Sequence, residues 1–597
     1  MPLTAEQLAQ QRKQAEELLA EGPQTLGFAK GLFFGHFNAP LLFPYPELTA
    51  AERPEVEQAV TEVRRFCQEQ IDAAAIDRDA EIPPAVIEGL GRLGVLGLTA
   101  PKEYGGRGFS QLGNCHVMEV IGGHCPSTAV FVNAHHSIGI RALLLFGTEE
   151  QKRRWLPPLC RGEQLAAFAL TEPEAGSDAA NVQTTALPTP DGETYILNGQ
   201  KRWITNGGIA QVLTVMARTP EPAAAGPAPK GRDSRITAFL VTPDLPGFEV
   251  VERRMAKTGI RGTATARLAF HNMPVPAANI LGPKGKGLKV ALTVLDFGRI
   301  TFGASCTGAA RVCLRASVRH AKTRVQFQQP LAEFELVQKK IAYMAAHAFA
   351  MEATTHQCAA LIDRGCDDYM LETAMLKVWS TEALWQMVYD TMQIHGGKAY
   401  FLDEPYERMM RDARINTIGE GANDVLRAFI ALVGMRAVGE DLKSVLEALR
   451  HPLRERSKLW RFVKGQLHDR LHTPEVPVRS PALHDEAVEL GRRVRDFGFA
   501  VQALLRRYRE SILTRQYLLE RIADAACELY AASCTLSRLD HLLTRGALPV
   551  EELRRQEAVG RYYLRWAHRR VRQNLAALWD NDDAAATAAA RAALAAE

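Results

Sequence analysis

Several features that would place a chain in a special class are missing here. None of the ten cysteines forms a Cys-x-x-Cys pair, which argues against a zinc framework or disulfide scaffold and fits a reducing compartment. No metal site is expected. No run of about 18 apolar residues lacks a charge, so no membrane span is expected. Excess charge is missing too: 72 Lys and Arg stand against 68 Asp and Glu, a net of +4. That is too little for wrapping nucleic acid, and no nucleic-acid partner is expected. The first 22 residues mix acids and bases around no apolar core, so a secretory signal is not expected. Nor is there an internal repeat.

What the chain does have is length and apolar content. Its 597 residues, 47% hydrophobic, can bury several cores, and roughly 150 residues per domain gives three to five domains. The pattern changes three times. Residues 1–50 form an arm whose part 28–46, with its aromatics and Phe-Pro-Tyr-Pro, reads as extended chain laid over a surface. Residues 51–165 read as helix; Pro54 opens a segment in which Val56, Val60, Val63, Cys67 and Ile71 recur at helical spacing. From 166 to 284 the runs 195–197, 212–215, 236–241 and 266–270 are β-prone, with turn signals between them. A small antiparallel barrel or sandwich fits, and 220–231 reads as a loop. Long helices return at 285–439, with 335–363 and 369–394 free of Pro and Gly, as in a bundle. A helical extension, 440–597, follows. In it Leu504, Leu513, Leu518, Leu519, Leu529 and Leu536 are core candidates, and the Ala-rich end is expected to fray. The fold class is therefore mainly α with a central β domain.

In the extension, 450–470 carries Arg450, Arg454, Arg456, Lys458, Arg461, Lys464 and Arg470 against Glu455 and Asp469, interleaved with Leu453, Leu459, Trp460, Phe462 and Val463. This suits an interfacial helix on an anionic membrane. It equally describes a solvated basic face with its apolar residues packed on the protein.

Three clusters could carry chemistry. Phe168 to Asp178 is a strand ending in a turn with Gly and free hydroxyls, able to bind an anion or the edge of a planar ligand, or simply a structural turn. Lys201 to Gly208 sets a Trp beside a Thr and a Gly pair, which suits stacking on a ring or a core Trp with an Asn-Gly turn. Ile418 to Asp424 flanks Glu420 with glycines, so a ligand can approach both the backbone and the carboxylate. An apolar pocket would raise that carboxyl towards a useful base. The alternative is an acid stabilised by a helix N-terminus.

Together the clusters resemble the acyl-CoA dehydrogenase family, over about 50 to 436. That family's motifs stand in order at Thr171–Asp178, Trp203–Gly208, Arg324 with Phe327, Gln393 with Gly396 and Gly397, Arg411-Asp412, and Glu420–Asn423. The resemblance implies a helical domain, a β-barrel or sandwich and a four-helix bundle, followed here by an extra helical domain. It implies FAD as cofactor, lined by Phe168, Leu170, Thr171, Ser177, Trp203, Ile204, Thr205, Ala422, Asn423 and Asp424. Arg324, Phe327, Gln393, Gly396 and Gly397 would contact the FAD of a neighbouring subunit. Glu420 would be the catalytic base. Ser177, Gly421 and 296–299 (Asp296, Phe297, Gly298, Arg299) would meet the acyl-CoA, the last four at its CoA part. Val130 and Ala134 fall where small side chains would deepen an acyl tunnel.

The implied reaction is α,β-dehydrogenation of a long-chain acyl-CoA to the trans-2-enoyl-CoA in fatty acid β-oxidation, with an electron-transferring flavoprotein as acceptor. The alternatives are an assembly or scaffold protein of the same fold and an oxidase that uses oxygen. The arm and the extension resemble the very-long-chain branch, which implies a homodimer. Ala422 in place of the commoner Thr, and Gln328 in place of a Gly, depart from the family pattern. No transit segment is evident, which points to a bacterial cytoplasmic enzyme, peripheral to the inner membrane if 450–470 binds lipid.

Overall fold

The computed structural model describes residues 26–220, 235–448, 460, 464 and 472–596. The loop expected at 220–231, beyond Pro220, and the basic stretch 450–470, apart from Trp460 and Lys464, lie outside the described residues.

The first helices are α1 (Phe28–Phe34), α2 (Arg53–Gln70), α3 (Ala73–Asp79), α4 (Pro84–Arg92), α5 (Gln111–His124), α6 (Pro126–Val132), α7 (Arg141–Phe146) and α8 (Glu149–Arg161). Pro54 stands in the first turn of α2, where its missing N–H costs nothing. Val56, Ala59, Val63 and Cys67 form that helix's buried stripe. The helix stops at Gln70, leaving Ile71 extended but still buried. A π-helical stretch, Asn133–Ile140, joins α6 to α7. The run Pro126–Phe146 has the length and hydropathy of a membrane span, but 78% of its apolar window is buried within the protein, so it serves as a core element.

Eight strands form the central sheet: β1 (Ala166–Ala169), β2 (Thr185–Pro188), β3 (Thr194–Ile204), β4 (Val212–Thr219), β5 (Arg235–Val241), β6 (Phe248–Glu252), β7 (Ala266–Pro276) and β8 (Ile280–Leu281). Their order is β6-β7-β3-β2-β4-β5-β8, with β1 beside β4. The sheet is mixed rather than purely antiparallel. β1 and β2 each pair parallel to β4, and the remaining pairs are antiparallel. Every residue of β4 is buried, as expected of a strand covered on both faces.

The bundle consists of α9 (Gly287–Thr323), α10 (Glu335–Asp363) and α11 (Met370–His395), with the short α12 (Tyr406–Arg414), then α13 (Asn423–Ala448). A small hairpin, β9 (Val325–Gln326) with β10 (Gln329–Pro330), links α9 to α10. The extension adds α14 (His484–Tyr508), α15 (Gln516–Arg545), α16 (Val550–Ala577) and α17 (Asp583–Leu594).

Three expectations change. The stretch 28–46 is not extended chain over a surface, because its start is helix α1, with Phe28, Leu32 and Phe33 fully buried. Phe33 packs edge-on against Phe497 of α14 at 5.1 Å and fills the space that the missing side chain of Gly434 leaves on α13. Bundle, α1 and extension thus share one apolar core. The Ala-rich end does not fray: it forms α17, whose first-turn Asp583 pairs with Arg521 of α15 at 2.8 Å. Leu513 is exposed rather than core, because a short 3₁₀ segment, Arg509–Thr514, turns it outward, whereas Leu504, Leu518, Leu519, Leu529 and Leu536 are buried.

Candidate active site

Glu420 lies in the turn between α12 and α13 with φ of 55°, followed by Gly421 at 99°. A left-handed acid is strained unless its surroundings hold it, and such strain gathers at functional sites. Here the holding groups are clear. Asn133 Nδ2, at the first position of the π-helical stretch, donates to Glu420 Oε1 at 2.7 Å. Lys377, fully buried on α11, donates from Nζ to the Gly421 carbonyl at 2.7 Å and to Asn423 Oδ1 at 2.8 Å. Asn423 Nδ2 in turn donates to Thr381 Oγ1 and Glu382 Oε1.

The other carboxylate oxygen, Glu420 Oε2, is buried and has no hydrogen-bond partner. Burial pushes the carboxyl up to about 7, against the pull of the Arg299 and Lys377 charges and the Asn133 hydrogen bond. This gives a base poised near neutral pH with one oxygen held and one free. Glu420 is therefore not an acid resting on a helix N-terminus. Beneath it is Gly298 of α9, where a Cβ would stand 2.7 Å from Oε2.

Asp296, Phe297 and Arg299 flank Gly298 and are all buried. Arg299 donates to Asp296 Oδ1 at 2.9 Å, and Thr373 Oγ1 donates to the same oxygen at 2.7 Å. Burial raises the Asp296 carboxyl to about 6 in spite of these partners. The Phe297 ring packs edge-on to Tyr369 and lies under the Arg141 guanidinium. This four-residue segment, expected at the CoA part, thus has its side chains in the interior around the base.

A largely apolar cavity lies on the Asn133 side, with an internal volume of about 120 Å³. Its walls include Gly122, Val130, Phe302, Cys306, Ala309 and Leu384. Helices α5 and α9 cross closely there because Gly122, Gly123 and Gly308 have no side chains to separate them. Val130 lines this cavity. Ala134 is buried next in sequence to Asn133 and is not among the lining residues.

The first two clusters adjoin one another on the sheet. The Thr171 carbonyl accepts from the Arg202 N–H at 3.0 Å. Glu172 is a buried hub: it accepts from Lys201 Nζ at 2.7 Å, Thr184 Oγ1 at 2.6 Å, and the Gln183 and Thr184 N–H groups. Burial alone would raise its carboxyl, but Lys201 and these donors hold it below the usual range. The hub fixes the loop that presents Thr171 and the exposed Ser177, next to Phe168 and Leu170 on the β1 side. Trp203 takes φ of 60° and is 52% exposed, while Ile204 is buried and Thr205 half-buried. Asn206 then ties this strand end to α6, donating to the Phe131 carbonyl at 3.0 Å.

Arg324, Phe327, Gln393, Gly396 and Gly397 gather elsewhere, at the far end of the bundle, where His320 of α9 stacks on His395 of α11 at 4.3 Å. Gly298 and Arg324 are separated by 26 positions of the α9 run, roughly 39 Å at the helical rise. Phe327 is 89% exposed, and Tyr400, Phe401 and Leu402 beside Gly397 are exposed as well. Gln328 takes φ of 67°, a conformation that suits the Gly it replaces. Ala422 is half-buried and Asp424 exposed, where Asp424 approaches Arg427 at 3.6 Å.

Sequence reasoning missed Asn133, Lys377 and Glu172. A lysine amid the apolar run 374–379 was the one visible signal, since a Lys is rarely buried without a task. Arg411 and Asp412 are structural: Arg411 grips Asp77 of α3 with both Nη atoms, and Asp412 accepts from the Ile260 N–H at 2.6 Å.

Comparison with known proteins places the chain in a family. The N-terminal, middle and C-terminal domain descriptions of acyl-CoA dehydrogenase match residues 53–163, 167–273 and 285–434, and an ACAD9/ACADV C-terminal domain matches 481–595. The very long-chain specific acyl-CoA dehydrogenase of Homo sapiens mitochondria is 36% identical over 530 residues, 88% of this chain and 80% of that one. The probable acyl-CoA dehydrogenase FadE10 of Mycobacterium bovis is 35% identical over 594 residues, 96% and 89% of the two chains. A Bacillus anthracis acyl-CoA dehydrogenase solved with FAD superposes with a TM-score of 0.78 at 27% identity over 94% of both chains. With three consecutive domains matched in order and full-length relatives above one-third identity, the chain belongs to the acyl-CoA dehydrogenase family.

Proposed function

We propose that this chain is an FAD-dependent dehydrogenase of long-chain fatty acyl-CoA thioesters, forming trans-2-enoyl-CoA in fatty acid β-oxidation and passing electrons to an electron-transferring flavoprotein. The observation that carries the reading is the half-held Glu420 carboxyl, one oxygen free and its pKa raised to about 7, beside a largely apolar cavity.

The residues present suit FAD. Trp203 is half-exposed, with the Arg202 guanidinium 4.8 Å from its ring centre, and offers an aromatic surface on which a flavin can stack. Thr171, Ser177 and Thr205 supply hydroxyls beside it, and Arg324 a guanidinium suited to phosphate. Nothing stands within 4 Å of where a Cβ would sit on Gly396 or Gly397, leaving their backbone open to a ligand. Bound FAD supplies the acceptor for the β-hydrogen and its electron pair. Glu420 Oε2 takes the α-proton, and the Glu420 backbone N–H draws charge onto the thioester oxygen. Asn133 keeps Oε1 in place while Oε2 works, and Gly298 leaves the carboxylate room.

We assign Phe168, Leu170, Thr171, Ser177, Trp203, Ile204, Thr205, Ala422, Asn423 and Asp424 to the FAD of the same subunit. Arg324, Phe327, Gln393, Gly396 and Gly397 are assigned to a neighbour's FAD, because roughly 39 Å of helix separates them from the base. That division requires a dimer, and the exposed Phe327, Tyr400 and Leu402 supply an apolar contact surface. Light scattering at a monomer mass would overturn it.

The intact base favours an enzyme over a scaffold. The decisive experiment is anaerobic flavin bleaching by a panel of acyl-CoA lengths. Glu420→Gln keeps the yellow colour and loses bleaching; bleaching at the normal rate in that variant ends the assignment. Hydrogen peroxide matching turnover would select the oxidase reading instead. We also propose that a cytoplasmic enzyme docks reversibly on membranes through 450–470, where Trp460 is 69% exposed. Equal sedimentation with anionic liposomes after charge reversal in that stretch would refute the docking.

A further inference from the structure

The cavity is less apolar than a plain alkyl chain needs. Two carboxamides line it from different elements, Asn133 at the start of the π-helical stretch and Asn416 in the turn after α12; Ser305 adds a hydroxyl, and His124, Arg408 and Asp412 line it too, His124 bonded to the Ile71 carbonyl and Asp412 to the Ile260 N–H. Ser305 and Asn416 have outlets of their own: Ser305 Oγ donates to the Thr301 carbonyl, and Asn416 Nδ2 points at Cys306 Sγ. Asn133 differs. It is 3% exposed, its Nδ2 is committed to Glu420, and its Oδ1 is buried without a partner. While Glu420 is ionised, the form that acts as base, turning the amide over would not relieve this, because Oδ1 would then face a carboxylate oxygen.

Two acceptors are therefore buried and unused on this hydrogen-bonded pair of side chains, Glu420 Oε2 and Asn133 Oδ1. The first awaits the α-proton. The second asks for a hydrogen-bond donor, and a methylene chain offers none. An acceptor left buried and unmet loses the full cost of its desolvation, whereas a ligand donor recovers it. Because a single carbon joins Oδ1 to the nitrogen that touches the base, the donor must lie a few carbon–carbon bonds from the reacting pair.

Building on the dehydrogenase reading above, we propose that this cavity is adapted to acyl-CoA chains bearing a hydroxyl group just beyond the α,β carbons, and that Asn133 Oδ1 recognises that hydroxyl. A site built around a buried polar group discriminates strongly against analogues that lack its partner. Asn133 is then a specificity-determining residue as well as a holder of the base.

The test compares hexadecanoyl-CoA with 4- and 5-hydroxyhexadecanoyl-CoA on the holoenzyme, in wild type and Asn133→Leu, by anaerobic flavin reduction. Loss of the Glu420 contact slows both substrates alike, so the ratio of their kcat/KM values isolates the hydroxyl. Wild type is expected to use at least one hydroxylated chain as well as or better than the plain one, and Asn133→Leu to lower that ratio tenfold or more. Calorimetric Kd values of the matching 2-enoyl-CoA products on wild type give a second readout that needs no variant, with tighter binding expected for the hydroxylated product. An unchanged ratio in the variant, or weaker binding of both hydroxylated products, overturns the proposal. Failure of all three acyl-CoAs to bleach the flavin would instead overturn the dehydrogenase reading itself.

Discussion

Replacing Gly298 by Ala should separate stability from catalysis. In the interior of α9 the exchange favours the helix by about 0.5–1 kcal/mol, since Gly loses more backbone freedom on folding than Ala. The added methyl, however, would stand 2.7 Å from Glu420 Oε2 and 3.1 Å from its Cδ. An ordinary contact there needs about 0.5 Å more. The helix cannot yield, but the carboxylate is the far end of a flexible side chain and swings away at little energetic cost. Its other oxygen is tied to Asn133, so the motion rotates Oε2 out of line with the α-proton. A misplacement of about 1 Å at a reacting group costs on the order of 100-fold. We therefore expect a 10- to 100-fold fall in the rate of flavin reduction, KM within about threefold, full flavin content and a Tm equal to or above wild type. Stopped-flow anaerobic bleaching with differential scanning calorimetry reads both quantities. Wild-type reduction rates in this variant would show that Oε2 is not the atom that takes the proton. A lowered Tm with lost flavin would show that Gly298 serves packing rather than the base.

Glu420 also sets a pH dependence. Its folded pKa of about 7 lies above the ordinary 4.5, so flavin reduction should rise with pH through about 7 as the base loses its proton. The folded state holds that proton more tightly than the unfolded chain, so the stability it contributes is complete below 4.5 and is lost as pH climbs to 7. Glu420→Gln should accordingly be more stable than wild type above pH 7, by up to about 3 kcal/mol, with the gain vanishing towards pH 4.5; chemical denaturation at pH 5 and 8 checks this. Lys377→Met removes a charge that draws the Glu420 carboxyl down and unties the Gly421 carbonyl. The pH–rate profile should move to higher pH and the maximal rate fall at least tenfold; an unmoved profile counts against a role for Lys377. Lys201→Met strands the buried Glu172 carboxylate and should cost about 3–5 kcal/mol, read as a lower Tm with weaker flavin retention.

Local order was largely legible from the residues. The bundle helices 335–363 and 369–394 fall within a residue of α10 and α11, because such long runs without Pro or Gly leave few alternatives. The four longer β-prone runs all lie in strands, whereas β1, β2, β6 and β8, each of two to five residues, are too short to carry a periodic signal. The Glu420 turn announced itself through glycines that the backbone needs. Its supports did not, because Asn133 and Lys377 reach it from 287 and 44 positions away in sequence. The same limit hid the charged cluster in which Arg311 bridges Glu119 and Glu352, and Arg538 of the extension joins Glu352 at 2.6 Å. No local pattern can join acids on α5 and α10 to bases on α9 and α15.

The buried position of the arm has a consequence for how the chain is made. The Leu42 carbonyl accepts from Gln357 Nε2 and from Ser537 Oγ, the latter 495 residues later. Backbone N–H groups of Gly27 and Ala29 likewise end on Asp368, just before α11, and on Glu372 of α11. On the ribosome this apolar segment emerges well before α15, and 495 residues separate Leu42 from Ser537, its most distant partner. The central sheet can close long before that, with N-terminal parts folding as they emerge. Until α15 arrives, Phe28, Leu32 and Phe33 lack the other half of their core. The nascent enzyme therefore carries a sticky segment until α15 is made, and shielding of residues 28–42 is where a chaperone would matter most.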